Sequence, residues 1–217
     1  MMSKRLLTIA SFISLKSNVA DIGSDHGYLL IYLKSIGHCG KLLGVENKKG
    51  PYDILKSNIA KSLYQDIILS FSDGISMLDD SYDTIVIAGL GYDIIKSIIL
   101  KDQQKLDNIK TIIIDSHTKT EHVRRFFSNI GYKIDKEEIL KEKNTYYEII
   151  RFVKGEKGYN QLDFCYGPIL RKANSKVFKE KYLLLISKLE LVLSQIDKQN
   201  KKYFVIKKKI NEIRKVL

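Results

Sequence analysis

Cysteine is scarce: the 217 residues contain two, Cys39 and Cys165. They stand far apart and outside any metal-ligand spacing, which excludes a disulfide framework and a thiolate zinc site and points to a reducing compartment, here expected to be the cytoplasm. Both read as small buried hydrophobes. No apolar run approaches the roughly 20 uninterrupted residues of a membrane span. The N-terminal Met1 to Ser11 lacks the long apolar centre of a secretion signal. Membrane-embedded and disulfide-stapled classes are thereby set aside, and neither a membrane nor a metal is expected among the partners.

What is abundant is positive charge, and it is segregated. The formal net charge is +12, yet residues 1–162 hold 23 Lys and Arg against 20 Asp and Glu, whereas residues 163–217 hold 14 against 5. Genomic bias toward lysine would spread evenly along the chain; a basic last quarter instead suits a polyanionic partner such as nucleic acid.

From Asn18 to about Phe152 short apolar runs alternate with amphipathic stretches, the rhythm of parallel strands separated by helices. Strands are predicted at 18–22, 42–45, 67–71, 84–88, 109–114, 132–140 and 145–153. Helices are predicted at 28–35, behind Gly50-Pro51, at 93–100, and at 120–129 with Thr120 as a capping residue. The last two strands are joined by residues 141–144, too few for a crossover helix, so they form an antiparallel hairpin at the sheet edge.

Residues 155–170 read as a linker, with glycine and proline and weak periodicity. Beyond it, Phe178, Tyr182, Leu185, Leu189, Val192 and Ile196 recur at alternating spacings of 4 and 3, and Tyr203, Ile206, Ile210, Ile213 and Leu217 continue at 3 and 4, a heptad seam. The polar stretch Asp197 to Lys202 favours two antiparallel helices over one rod. The expected organisation is a cofactor-binding α/β unit over residues 1–154, a linker over 155–170, and a basic coiled-coil hairpin over 171–217. The seam serves as a packing element, a dimer interface or an RNA-gripping arm; a monomer is expected.

The chemistry concentrates in Val19-Ala-Asp-Ile-Gly-Ser-Asp-His-Gly-Tyr-Leu29. A strand carrying Asp21 and followed by Gly23 and Gly27 in a turn into a helix is a nucleotide-cofactor signature. A dinucleotide site uses Gly-x-Gly-x-x-Gly to seat a pyrophosphate on the helix N-terminus. Here Asp25 stands at the middle glycine's place. Its carboxylate repels pyrophosphate but favours the ammonium and sulfonium groups of S-adenosylmethionine (SAM), so an NAD-dependent oxidoreductase is disfavoured. Glu46, 23 residues after Gly23 and ending the second strand, suits both ribose hydroxyls. Ser72-Asp73-Gly74 follows the third strand, with Asp73 toward the adenine amino group. Small residues at Ala88, Gly89 and Gly91 open the crevice after the fourth.

These segments, with Ser3-Lys-Arg-Leu6, Gly44-Val-Glu46, Gly50-Pro51, Tyr147-Glu-Ile149 and Gly167-Pro168, resemble the bacterial TrmK family nearly end to end. That family comprises tRNA adenine-N1 methyltransferases acting at position 22 in the D-arm region. The resemblance implies a class I methyltransferase fold, Rossmann-like with a mostly parallel seven-stranded sheet, plus a C-terminal coiled coil that helps hold tRNA. It implies SAM as cofactor and a cofactor role for Asp21, Gly23, Asp25, His26, Glu46 and Asp73, with Ser24, Gly74, Ala88 and Gly89 beside them. The chain departs from the family pattern at Tyr92, where a glycine is usual, and at Asp115-Ser116-His117, where Gln-Pro-Asn is usual.

Adenine N1 is already a nucleophile, so such an enzyme has to flip the base, align it and stabilise charge appearing on the ring. A carboxylate near N6 serves the last need. Asp115, at the end of the fifth strand, is the first candidate and Asp93 the second. Tyr28 and Tyr92 are candidates to stack on the flipped base, His117 to border it, and Lys4 and Arg5 to meet phosphate. Competing readings are a methyltransferase of another RNA or a protein, and a silent tRNA binder.

Overall fold

The apolar runs become strands because they are buried on both faces, as a sheet covered by helices requires. In the computed structural model, which describes residues 2–116 and 118–217, the central strands β1 (Val19–Ile22) and β2 (Leu42–Glu46) are buried at every position. They pair in parallel with each other; β2 is flanked by β3 (Ile68–Phe71) at the sheet edge, and β1 continues through β4 (Thr84–Leu90) to β5 (Thr111–Ser116), all in parallel. Strands β6 (Tyr132–Glu142) and β7 (Thr145–Lys154) form the antiparallel hairpin, with β7 lying against β5. The seven-stranded order is β3-β2-β1-β4-β5-β7-β6. Both hairpin strands run longer than expected, leaving only Lys143 and Asn144 in the turn, with Lys143 at φ 54°.

Side-chain alternation divides the core between the faces. Ile22, Val45, Ile85, Ile87, Ile112 and Ile114 point toward α4 (Tyr92–Lys101) and α5 (Thr120–Asn129). Val19, Leu42, Val86 and Ile113 point toward α1 (Lys4–Ser11), α2 (Tyr28–Ser35) and α3 (Lys49–Lys61). Each fully buried aliphatic side chain contributes about 1.5–3 kcal/mol relative to exposure. Helix α1 had no place in the sequence reading; Ser3 caps it by accepting from the amide of Leu6 at 3.2 Å. Two details differ at helix starts. Helix α3 begins at Lys49, placing Pro51 within its first turn. Helix α5 is preceded by Lys119 in a left-handed conformation, so Thr120 is its first residue rather than its cap.

Beyond the sheet, the stretch expected to be a linker contains α6 (Gln161–Tyr166), opened by a reciprocal Asn160–Asp163 capping box, and the start of α7 (Pro168–Ala173). Two longer helices follow, α8 (Lys176–Ser194) and α9 (Lys201–Arg214). The break between them is local chemistry: Asp197 accepts from the amide of Gln199 at 2.7 Å and Asn200 from that of Lys202 at 2.9 Å, bonds that compete with helix continuation. The helices run antiparallel, since Asn174 before α8 donates to the carbonyl of Leu217 at 2.9 Å. Phe178, Tyr182, Ile186, Ile210, Ile213 and Val216 form their shared core with Ile139 of β6. Ile186 takes an inner place the heptad reading had not given it, while Val192 is 43% exposed. Cys39 is exposed and Cys165 half-buried, so the expectation of two buried thiols fails. Among the described residues no helix is long and apolar enough to cross a membrane.

Candidate cofactor and substrate site

In an open α/β sheet the crevice forms beyond the strand ends where the strand order reverses. Here the chain leaves β3 at one edge and returns past β2 and β1 to β4, so the reversal lies between β1 and β4. A cavity of about 940 Å³ opens there.

The loop after β1 forms one wall. Gly23 and Gly27 take φ of 75° and 72°, and Asp25 takes 48°, the left-handed region that short polar side chains tolerate better than most. The amides of Gly23 and Ser24 both donate to the carbonyl of Val45, at 2.9 and 3.0 Å, strapping the loop to β2. Asn58 of α3 donates to the carbonyl of His26 at 2.9 Å from the other side. At Gly27 a Cβ would stand 2.6 Å from Leu55, so α3 packs directly on the turn. His26 stacks on Tyr28, with ring centroids 5.3 Å apart and planes at 15°.

Carboxylates surround this cavity. Asp21 is 5% exposed and accepts from the Ser24 hydroxyl at 2.8 Å. Burial pushes its pKa up to about 6, against the lowering effects of Ser24 and Arg5. Glu46, 7% exposed, is fixed at the end of β2 because its Oε1 accepts from the amides of Asn47 and Lys48 at 3.1 and 3.0 Å. Asp73 accepts from Lys101 at 2.7 Å and Asn47 at 3.1 Å, bonds that hold its carboxyl below the usual range. Lys101 and Asn47 escaped sequence reading. Each lies 26 or more residues from Asp73, so no local pattern announces them.

All ten residues expected at the cofactor face this one cavity: Asp21, Gly23, Ser24, Asp25, His26, Glu46, Asp73, Gly74, Ala88 and Gly89. Arg5, Tyr28 and Asp93 line it too. Asp115, Tyr92 and Lys4 are not on its lining. Asp115 is 1% exposed, engaged by Arg5, and absent from the lining, on which Arg5 itself stands. Asp93 pairs with Lys119 at 2.8 Å on the open wall. Tyr92 turns its ring to His122 and Phe126, at centroid distances of 5.4 and 6.4 Å, and not into the cavity. Lys4 is exposed and its amide donates to Glu142 at 3.1 Å. His117 lies outside the described residues.

The donor set fits a cationic, phosphate-free nucleotide. A pyrophosphate in the turn after β1 would meet Asp21 and Asp25, whereas an ammonium or sulfonium group would relieve the cost of ionising the buried Asp21.

Known proteins are similar to this chain in sequence and in fold. The family model for tRNA (adenine(22)-N(1))-methyltransferase, TrmK, matches residues 19–215. The Bacillus subtilis tRNA (adenine(22)-N(1))-methyltransferase is 29% identical over 203 residues, covering 90% of this chain and 85% of its own. A Streptococcus pneumoniae protein, described as a candidate tRNA (m1A22) methyltransferase and solved with S-adenosyl-L-methionine, superposes with a TM-score of 0.92 at 31% identity over 100% of both chains. M. capricolum TrmK, solved with the cofactor product S-adenosyl-homocysteine, superposes with a TM-score of 0.87 at 29% identity, covering 99% of this chain and 97% of its own. A match that runs through sheet, cavity and C-terminal helices alike is that of a whole protein and not of a shared cofactor fold, and the chain belongs to the TrmK family of tRNA (adenine(22)-N(1))-methyltransferases.

Proposed function

We propose that this chain transfers the methyl group of SAM to N1 of adenine 22 in tRNA. The observation that carries the reading is the acidic cavity at the β1–β4 switch point, with Asp21, Asp25 and Glu46 on its wall, in a chain of this family. SAM supplies an electrophilic methyl on a positively charged sulfur. The residues of the chain supply the rest. Asp21 and Asp25 favour the cationic end of the cofactor, Glu46 accepts from ribose hydroxyls, and Asp73, held by Lys101 and Asn47, accepts from an adenine amino group.

Methylation turns neutral adenine into a cation while the sulfonium becomes a neutral thioether, so positive charge moves onto the flipped base. Asp93 lines the cavity and is the carboxylate we assign to N6. A carboxylate there stabilises the developing charge and accepts the proton that the ring later loses. Asp115 serves behind the wall, holding Arg5. Tyr28, 53% exposed on the rim and stacked on His26, offers a face to the flipped base. Residues 171–217 act as the basic arm that grips tRNA, residues 1–154 as the catalytic unit.

The test is transfer of labelled methyl from SAM to unmodified tRNA transcripts, read by nucleoside mass spectrometry. N1-methyladenosine is expected, and it disappears when adenine 22 is replaced by guanine. Cofactor binding in calorimetry without transfer to any tRNA would overturn the assignment and leave a methyltransferase of another substrate or a silent binder.

A further inference from the structure

Away from the cavity, the densest buried charge lies where the sheet edge meets the C-terminal helices. Arg124 of α5 has no solvent exposure. Its Nε donates to Glu137 of β6 at 2.7 Å, one terminal nitrogen donates to Glu148 of β7 at 2.7 Å, and the other to the carbonyl of Phe164 in α6 at 3.1 Å. The second oxygen of Glu137 accepts from the amide of Ile169 in the first turn of α7 at 2.9 Å. The second oxygen of Glu148 accepts from Lys181 of α8 at 2.5 Å, with the Tyr182 hydroxyl at 3.4 Å. Tyr182 packs edge-on against Tyr166, whose hydroxyl donates to Glu212 of α9 at 2.6 Å.

This cluster explains a motif that the cavity does not use. Gly167 sits at φ 79°, and a Cβ there would lie 2.6 Å from the Glu137 carboxylate and 2.8 Å from Arg124. Gly167-Pro168 therefore lets the chain pass over the buried guanidinium into α7.

The charges balance only when α8 is docked. Two buried carboxylates face one guanidinium, and the second cation, Lys181, comes from the hairpin. Apolar contacts between the hairpin and β6 are non-directional and tolerate sliding, whereas charge-assisted bonds fix distance and angle. The anchor also reaches the site. Helix α5, which carries Arg124, begins just after Lys119, the partner of Asp93 on the cavity wall.

We propose that Arg124, Glu148 and Lys181 are positioning residues for methyl transfer: they hold the basic hairpin at one fixed angle to the cofactor cavity, so that RNA gripped by the hairpin delivers its target base there. This rests on the tRNA reading above.

The test uses the full chain with Glu148→Gln, which keeps the shape of a buried side chain beyond the reach of RNA, and Lys181→Met, with Lys181→Arg as rescue. Spin labels at Leu63→Cys and Leu191→Cys, both exposed, in a background carrying Cys39→Ser and Cys165→Ala, report the hairpin's position. One narrow distance is expected in the parent and a broadened one in Glu148→Gln and Lys181→Met. Their kcat/KM for tRNA falls about tenfold or more, as misplacement of a reacting group predicts, while SAM affinity and binding stoichiometry stay unchanged. Lys181→Arg recovers both. Parent-like distances or parent-like kcat/KM in both variants would overturn the role, as would an equal loss of bound cofactor. A parent chain that methylates no tRNA overturns the tRNA assignment instead, and the distances then decide alone whether the cluster fixes the hairpin.

Discussion

The guanidinium of Arg5 pairs with the carboxylate of Asp115 across 110 residues of sequence, joining the N-terminal helix to the end of β5. Arg5 also lies over the Tyr147 ring, 5.4 Å from its centroid, so one side chain ties α1 to both β5 and β7. Asp115 is 1% exposed, and a carboxylate so deeply placed depends on the cation beside it.

Replacing Arg5 with Met therefore lowers stability by about 2 kcal/mol, less than for a wholly buried pair because Arg5 is 22% exposed. Asp115→Asn costs less, since it keeps the shape and removes the charge that needed balancing. Thermal unfolding of both variants checks the order, and a Met variant as stable as the parent would refute it.

Asp93→Asn leaves folding intact and lowers kcat for methyl transfer by about tenfold to a hundredfold. Single-turnover kinetics at saturating SAM isolate the chemical step. An unaltered rate would move the charge-stabilising role away from Asp93.

Asp21 gives the protein a pH signature. Its pKa is 3.8 when free and about 6 in the fold, raised chiefly by burial. An acid whose folded pKa lies above its unfolded one destabilises the fold once ionised. The cofactor-free protein thus loses on the order of 3 kcal/mol from this group as pH rises from about 4 to about 6. SAM affinity moves oppositely, weakening as pH falls through about 6 and the carboxylate is protonated. Calorimetric titrations with Asp21→Asn, which should flatten both trends, provide the check.

Gly27→Ala meets two obstacles at once, φ of 72° and a Cβ 2.6 Å from Leu55. Left-handed strain and steric overlap together cost at least about 2 kcal/mol, or roughly 4–8 °C in melting temperature for a chain of this size. An undiminished melting temperature would show that α3 yields at no cost.

Lys201, Lys202, Lys207 and Lys208 are exposed on α9. Changing all four to Gln weakens tRNA binding uniformly across sequences and reduces the slope of log affinity against log salt by roughly 3. SAM binding stays unchanged. A salt slope equal to the parent's would place the RNA on another face.

The sequence alone determined the sheet with its edge hairpin, the turn after β1, the spaced acid at Glu46 and the small residues ending β4. Each is a local constraint: a strand's apolar run, a backbone turn that needs positive φ, a fixed interval between consecutive strand ends. Which polar groups meet was decided only by tertiary structure. Lys101 reaches Asp73, Lys119 reaches Asp93, Arg5 covers Asp115 and Arg124 joins two strands to the C-terminal helices, over separations that carry no periodic signal. Tyr92 belonged to the expected pocket by position in the chain, yet its ring packs toward Phe126, because a large aromatic gains more from the neighbouring helix than from the open crevice. Local chemistry fixed the elements and the cofactor wall; packing, by choosing which faces are buried, fixed the partners of every charge around them.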